Sequence, residues 1–208
     1  MENLDSRLLQ LANVFEKRLA GDLNARFAHH AGHMAPERWL CLELAYLVNT
    51  EGPAVGLPGW RAGLERRNVD VTLYSPDESE AIYLEFKLVP ADCWNNWREV
   101  YKDLGHSQIA KTGSKPVAHA AVCILYDHIL PKGKPRQSSL NKYKEYIGRI
   151  PDKPGIFRPL DDPNLPDLYL AVEAPKFRLI WNGPNEKPLL DTWIRLLWVT
   201  LAPSEIIA

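Results

Sequence analysis

Apolar residues recur at helical spacing at the start of the chain: Leu4, Leu8, Leu11, Phe15 and Leu19, with Arg, Glu and Lys between them. This spacing predicts an amphipathic helix over about residues 4–20, which Gly21-Asp22 interrupt before residues 23–27 continue. His29-His30-x-x-His33 follows with no adjacent Cys or carboxylate to complete a ligand set, and reads as a polar connection between helices. Pro36 suits a first helical position and Glu37 a first turn, so a second helix is predicted over 37–49, ended by Gly52-Pro53. Its apolar stripe is Trp39, Leu40, Leu44, Tyr46 and Leu47, and Glu43 falls on it. A carboxylate buried without a partner is costly, so Glu43 either forms a salt bridge at the stripe's edge or faces a site. Residues 52–63 read as a Gly/Pro-rich loop without the spacing of a phosphate-cradling loop.

Between residues 68 and 89 the period changes to two. Val69, Val71 and Leu73 alternate with Asp70, Thr72 and Tyr74; Leu84, Phe86 and Leu88 alternate with Tyr83, Glu85 and Lys87. With the turn chemistry of SPDESE between them, these are the strands of a β-hairpin. A symmetric loop pairs Tyr74 with Ala81, Thr72 with Tyr83 and Asp70 with Glu85. Directly opposed residues have Cβ atoms roughly 5 Å apart, and like charges there are destabilising. Asp70 and Glu85, with Lys87 two residues along the same face, therefore call for a cation between them.

Pro90-Ala91-Asp92 offers a break and an N-cap. A helix is predicted over 93–111, lined by Trp94, Trp97, Tyr101 and Leu104 with Val100 beside them. Lys102, Gln108 and Lys111 are its candidates for phosphate contact, each a weak signal whose plain alternative is a solvated helix face. Residues 117–130 form a largely apolar run, as in a buried central strand; Asp127-His128 at its end is no triad. A helix over 138–150, a proline-rich connector over 151–166, strands over 167–174 and 177–182, and a closing helix through Leu190, Trp193, Ile194, Leu197 and Leu201 complete the reading. The order predicts an α/β (α+β) domain with a mixed β-sheet flanked by helices.

Composition narrows the function only by exclusion. The chain has 208 residues, enough for one substantial core, with a hydrophobic fraction of 46% and a charged fraction of 25%. A net charge of −1 supplies no global attraction to nucleic acid. The local exception is 127–158, where eight Lys/Arg face three acids, a stretch that suits a polyanion backbone or a solvated basic helix. Cys41, Cys93 and Cys123, odd in number and far apart, argue against a disulfide framework. With no secretory leader visible and no apolar run of ~18 residues, the expected location is cytoplasmic without a membrane partner; signal-independent export stays open.

Asp70, fourteen intervening residues, Glu85-Phe86-Lys87 and a preceding helical glutamate form a constellation that resembles the PD-(D/E)XK nuclease superfamily. The resemblance spans about residues 36–130. It implies a restriction-endonuclease-like fold; outside it lie the extra N-terminal helices (1–35) and a C-terminal strand-strand-helix extension (151–208), read with it as one domain over 1–208. Val69 stands where the name-giving proline would be, and the Gln-x-x-x-Tyr motif of recombination-type exonucleases is absent. The resemblance implies a metal-dependent phosphodiesterase, a DNA endonuclease with RNA as an open alternative. Asp70 and Glu85 would hold Mg²⁺ or Mn²⁺ with the Phe86 backbone carbonyl, Glu43 would complete the shell, and Lys87 would act on water or phosphate. Hard oxygen donors agree with that metal choice. Cutting both strands with one site per chain requires a homodimer or two successive nicks. The rivals are an inactive binding or assembly module of the same fold, an effector nuclease, and an unrelated domain in which Lys87 merely bridges the two acids.

Overall fold

The computed structural model describes residues 6–33, 36–66, 69–89, 96–106, 113–126, 148–182 and 188–202. Three helices open the chain: α1 (Ser6–Ala20), α2 (Asn24–His33) and α3 (Pro36–Glu51). After a 3₁₀ turn (Gly52–Val55) come β1 (Arg61–Arg66), β2 (Val69–Tyr74), β3 (Glu80–Val89), α4 (Asn96–His106) and β4 (Lys115–Tyr126). The chain continues with β5 (Gly155–Phe157), β6 (Leu168–Leu170), β7 (Phe177–Asn182) and β8 (Pro188–Leu201).

The strands form one mixed sheet in the order β1-β2-β3-β4-β8-β6-β5, with β7 also paired to β8. β3 and β4 run parallel, joined across α4, and β1-β2-β3 is an antiparallel meander. The sheet is covered on both faces, and period-two alternation decides which side chain joins which layer. Val71, Leu73, Ile82, Leu84, Phe86, Val122, Ile124, Leu196 and Trp198 pack under α1, α2 and α3. Val89, Ala121, Cys123, Leu125, Leu197 and Val199 pack under Trp97, Val100, Tyr101 and Leu104 of α4. No helix among the described residues is long and apolar enough to cross a membrane.

The hairpin has the expected register, with Thr72 opposite Tyr83 and Tyr74 opposite Ala81. Elsewhere the structure corrects the sequence reading. The 52–63 loop ends in a strand, β1, whose outer edge is partly satisfied at Ala62. There the Asn49 side chain accepts from the Ala62 N–H at 2.8 Å and donates to its carbonyl at 3.3 Å, standing in for a neighbouring strand. A further short strand, β5, lies in the proline-rich connector. His29, His30 and His33 belong to α2 itself rather than to a connection. His30 stacks on Trp39, with ring centroids 5.1 Å apart.

The largest correction is the closing helix, which is strand β8. Ile194, Leu196 and Trp198 are buried on one sheet face and Leu197 and Val199 on the other. A strand buried on both faces is apolar almost throughout, so a helical spacing can be picked out of it by chance. β8 lies between β4 and β6 and pairs with both, so the C-terminal segment supplies a central strand rather than an appendage. Arg195, nearly inaccessible on β8, is satisfied by the Ala174 and Pro151 carbonyls at 3.1 and 2.8 Å and by Asp152 at 3.3 Å.

Candidate active site

The hairpin ladder runs from Tyr74–Ala81 to Val71–Leu84, and at the next step side chains bridge the strands. Asp70 Oδ2 accepts the Phe86 N–H at 2.8 Å, and Glu85 Oε2 accepts the Asp70 N–H at 3.4 Å. β3 then runs on past the start of β2, and its backbone is taken up by both helical layers. Glu37 of α3 accepts the Leu88 N–H, and Asn96 of α4 donates to the Leu88 carbonyl at 2.7 Å.

A cleft of about 470 Å³ opens at this end. Glu37, Arg38, Cys41 and Leu42 of α3 line it, with Leu64 of β1, Asp70, Phe86 and Lys87. The α3 members fall at i, i+1, i+4 and i+5, adjacent positions on one helix face. Glu85 lies deeper, only 5% exposed. Lys87 Nζ pairs with Asp103 Oδ2 of α4 at 2.8 Å.

The electrostatics are those of carboxylates in excess of cations. Burial pushes Glu85 up to about 8, and the charges of Asp70 and Asp103 push the same way. Burial also raises Asp70, against the Phe86 N–H and Lys87, which favour its ionised form. Burial opposes the Lys87 ammonium, but the Asp103 carboxylate, with Glu37 and Asp70 behind it, holds the amine above its ordinary value. The Cys41 thiol is raised by burial and then by Asp70, Glu37 and Glu85, so it stays protonated.

Asp70, Glu85, Phe86 and Lys87 are therefore brought together. Glu43 is not. Its carboxylate pairs with Arg26 of α2 at 2.7 Å, toward the neighbouring helix. Glu37 reaches the site instead; six residues are about 600° of helix, so positions 37 and 43 point some 120° apart. Lys102 is exposed and pairs with Glu99 at 3.5 Å on its own helix. Gln108 and Lys111 lie outside the described residues, as do 127–147 of the basic stretch. Within the rest of that stretch, Arg149 and Arg158 are paired with Asp161 and Asp167, each at 2.6 Å.

Glu37, Arg38 and Asp103 are residues the sequence reading did not assign to the site. Glu37 looked like an ordinary first-turn acid. Asp103 carried a weak signal, an acid beside the buried Val100, Tyr101 and Leu104.

No family model, curated protein or solved structure matches this chain.

Proposed function

We propose that this protein is a divalent-metal-dependent nuclease of the restriction-endonuclease-like fold that hydrolyses phosphodiester bonds, with DNA as substrate and an endonucleolytic cut. The observation that carries the reading is the pair Asp70 and Glu85. Both are half-buried to buried and raised in pKa, and they bridge two strands beside a cleft into which Lys87 also opens. The element order around them adds support: a helix with a site-facing glutamate, three antiparallel strands carrying Asp and Glu-x-Lys, a helix, and a strand parallel to the third.

The donor set fits Mg²⁺ or Mn²⁺. Asp70, Glu85 and Glu37 are hard oxygen donors with a shortage of positive charge among them, and a bound cation reverses the cost of ionising them. In an extended strand a residue's N–H and C=O leave by the same edge. The Phe86 carbonyl is thus directed, like its N–H, toward the Asp70 side. Asp70 and Glu85 would hold the ion with the Phe86 carbonyl, and Glu37, which accepts the Leu88 N–H and lines the cleft, would add negative charge beside it. Such an ion, when bound, supplies a Lewis acid and lowers the pKa of water.

The chain's own residues do the rest. Lys87, which lines the cleft and whose ammonium rests on Asp103, would stabilise negative charge that grows on the phosphate. Arg38, exposed at the cleft, suits a flanking phosphate. Leu42, Leu64 and Phe86 give the cleft an apolar wall that limits water. A rival network in which Lys87 bridges Asp70 and Glu85 is disfavoured, because its salt bridge goes to Asp103.

The test is incubation of plasmid DNA with the protein and Mg²⁺ or Mn²⁺, with Glu85→Ala as control. Nicking by the wild type and not by the variant is expected. Equal nicking by both, or none from a folded, metal-loaded wild type, would sink the proposal. A parallel RNA substrate decides the nucleic acid, and the ratio of nicked to linear product separates single nicks from dimeric cutting.

A further inference from the structure

Lys87 has two sets of carboxylates within the influence of its charge. On the strand side are Asp70 and Glu85, which bridge β2 and β3 by accepting the Phe86 and Asp70 N–H groups, and Glu37 of α3 lines the same cleft as Asp70. On the helix side is Asp103, and the ammonium is there, 2.8 Å from Oδ2, with both side chains largely covered. Asp103 rides on a helix fixed by Trp97, Val100, Tyr101 and Leu104 against β3 and β4. Its carboxylate is therefore anchored by packing rather than by the site. A single ammonium cannot neutralise both sets. Neutralise Asp103, and the strongest remaining attractions for the ammonium are Glu37 and then Asp70, on the side of the strand-borne acids. An ammonium drawn there would compete with any other cation for the same oxygens.

We propose that Asp103 is a positioning residue: it draws the Lys87 ammonium to the α4 side and so keeps the Asp70–Glu85 pair open to a divalent cation. The inference rests on the reading of the site as a metal-dependent nuclease. It also assigns Lys87 a fixed place on the wall of the cleft, where it meets a phosphate without displacing the ion.

The test is a calorimetric titration with Mn²⁺, without nucleic acid, on four proteins: wild type, Asp103→Asn, Lys87→Met and the double variant. Circular dichroism checks the fold of each. Asp103→Asn is expected to weaken Mn²⁺ binding about tenfold, within the range of couplings between touching residues. Asp103→Ser is expected to do the same, and Asp103→Glu to restore most of the loss. The decisive comparison is in the Lys87→Met background, where Asp103→Asn should change the affinity less than about threefold.

A loss of equal size in both backgrounds would mean that Asp103 acts on the ion directly, and would overturn the inference. So would unchanged affinity in Asp103→Asn and Asp103→Ser. Absence of Mn²⁺ binding by the folded wild type would overturn the nuclease reading itself and the inference with it.

Discussion

The two ends of the β2–β3 hairpin both carry acids, and they treat them in opposite ways. At the turn, Asp77 accepts from the Ser75 hydroxyl at 2.7 Å and from the Ser79 N–H and hydroxyl at 3.1 and 2.8 Å. Those hydrogen bonds hold its carboxyl down at about 2. The acid there satisfies donors that the reversal of the chain would leave unpaired, and every partner is within two residues. At the open end, Glu85 is buried and pushed up to about 8. The charges around it, Asp70, Lys87 and Asp103, come from β2, β3 and α4, and Glu37 of α3 lines the adjoining cleft. One end uses charge to make the fold; the other holds charge that the fold alone does not satisfy. The proposed site rests on that imbalance.

Cleavage should break the symmetry most strongly. Asp70→Ala and Lys87→Ala are each expected to lower the rate by at least about 10², while Asp77→Ala leaves it unchanged in the plasmid assay. Comparable losses at both ends would mean that the hairpin's integrity, not its open end, limits the reaction.

Stability against pH sharpens the contrast. Between the ordinary carboxylate value and about 8, the folded protein keeps a proton on Glu85 that the unfolded chain has released. Metal-free stability should then fall as pH rises from about 5 to about 8, by up to about 1.4 kcal/mol per pH unit for this group. Glu16, on the buried face of α1 and also pushed up to about 8 by burial, adds a slope of the same sign. Glu85→Gln should flatten the profile by its own share and raise metal-free stability at pH 8. Mn²⁺ should then stabilise the wild type more than the variant. Denaturant melts at pH 5.5, 6.5 and 7.5 measure this; parallel profiles would contradict it.

A smaller effect separates the two glutamates of α3. Glu37→Gln can still accept the Leu88 N–H but loses a charge at the cleft, so cleavage should fall about tenfold with little change in stability. Glu43→Gln loses its pair with Arg26, whose side chain is 62% exposed, and a weaker influence on His30. It should cost less than about 1 kcal/mol and leave cleavage intact. Reversed outcomes would return the helical acid of the site to position 43. The smallest effect is at the turn, where Asp77→Ala should lower the melting temperature slightly.

How much was legible beforehand follows from how local each cause is. Alternation over 69–74 and 83–88, with a symmetric turn, was enough to set the hairpin register, because a one-residue slip would take Val71, Leu73, Leu84 and Phe86 off the face they share under α1–α3 and put the acids there instead. It likewise placed Asp70, Glu85 and Lys87 on one face. The sequence alone also delimited α1 and α3, whose stripes and terminal Pro and Gly residues are local signals. Tertiary structure decided what no local period encodes. β8 is buried on both faces and so lost the alternation that identifies a strand. Glu37 rather than Glu43 meets the hairpin because the first turn of α3, and not its middle, lies beside the open end of β3. Asp103 joins the site because α4 packs across β3 and β4, which sets an acid sixteen residues downstream beside Lys87. The sequence determined which charges the hairpin carries; only the packing of two helical layers around its open end decided which other charges they meet.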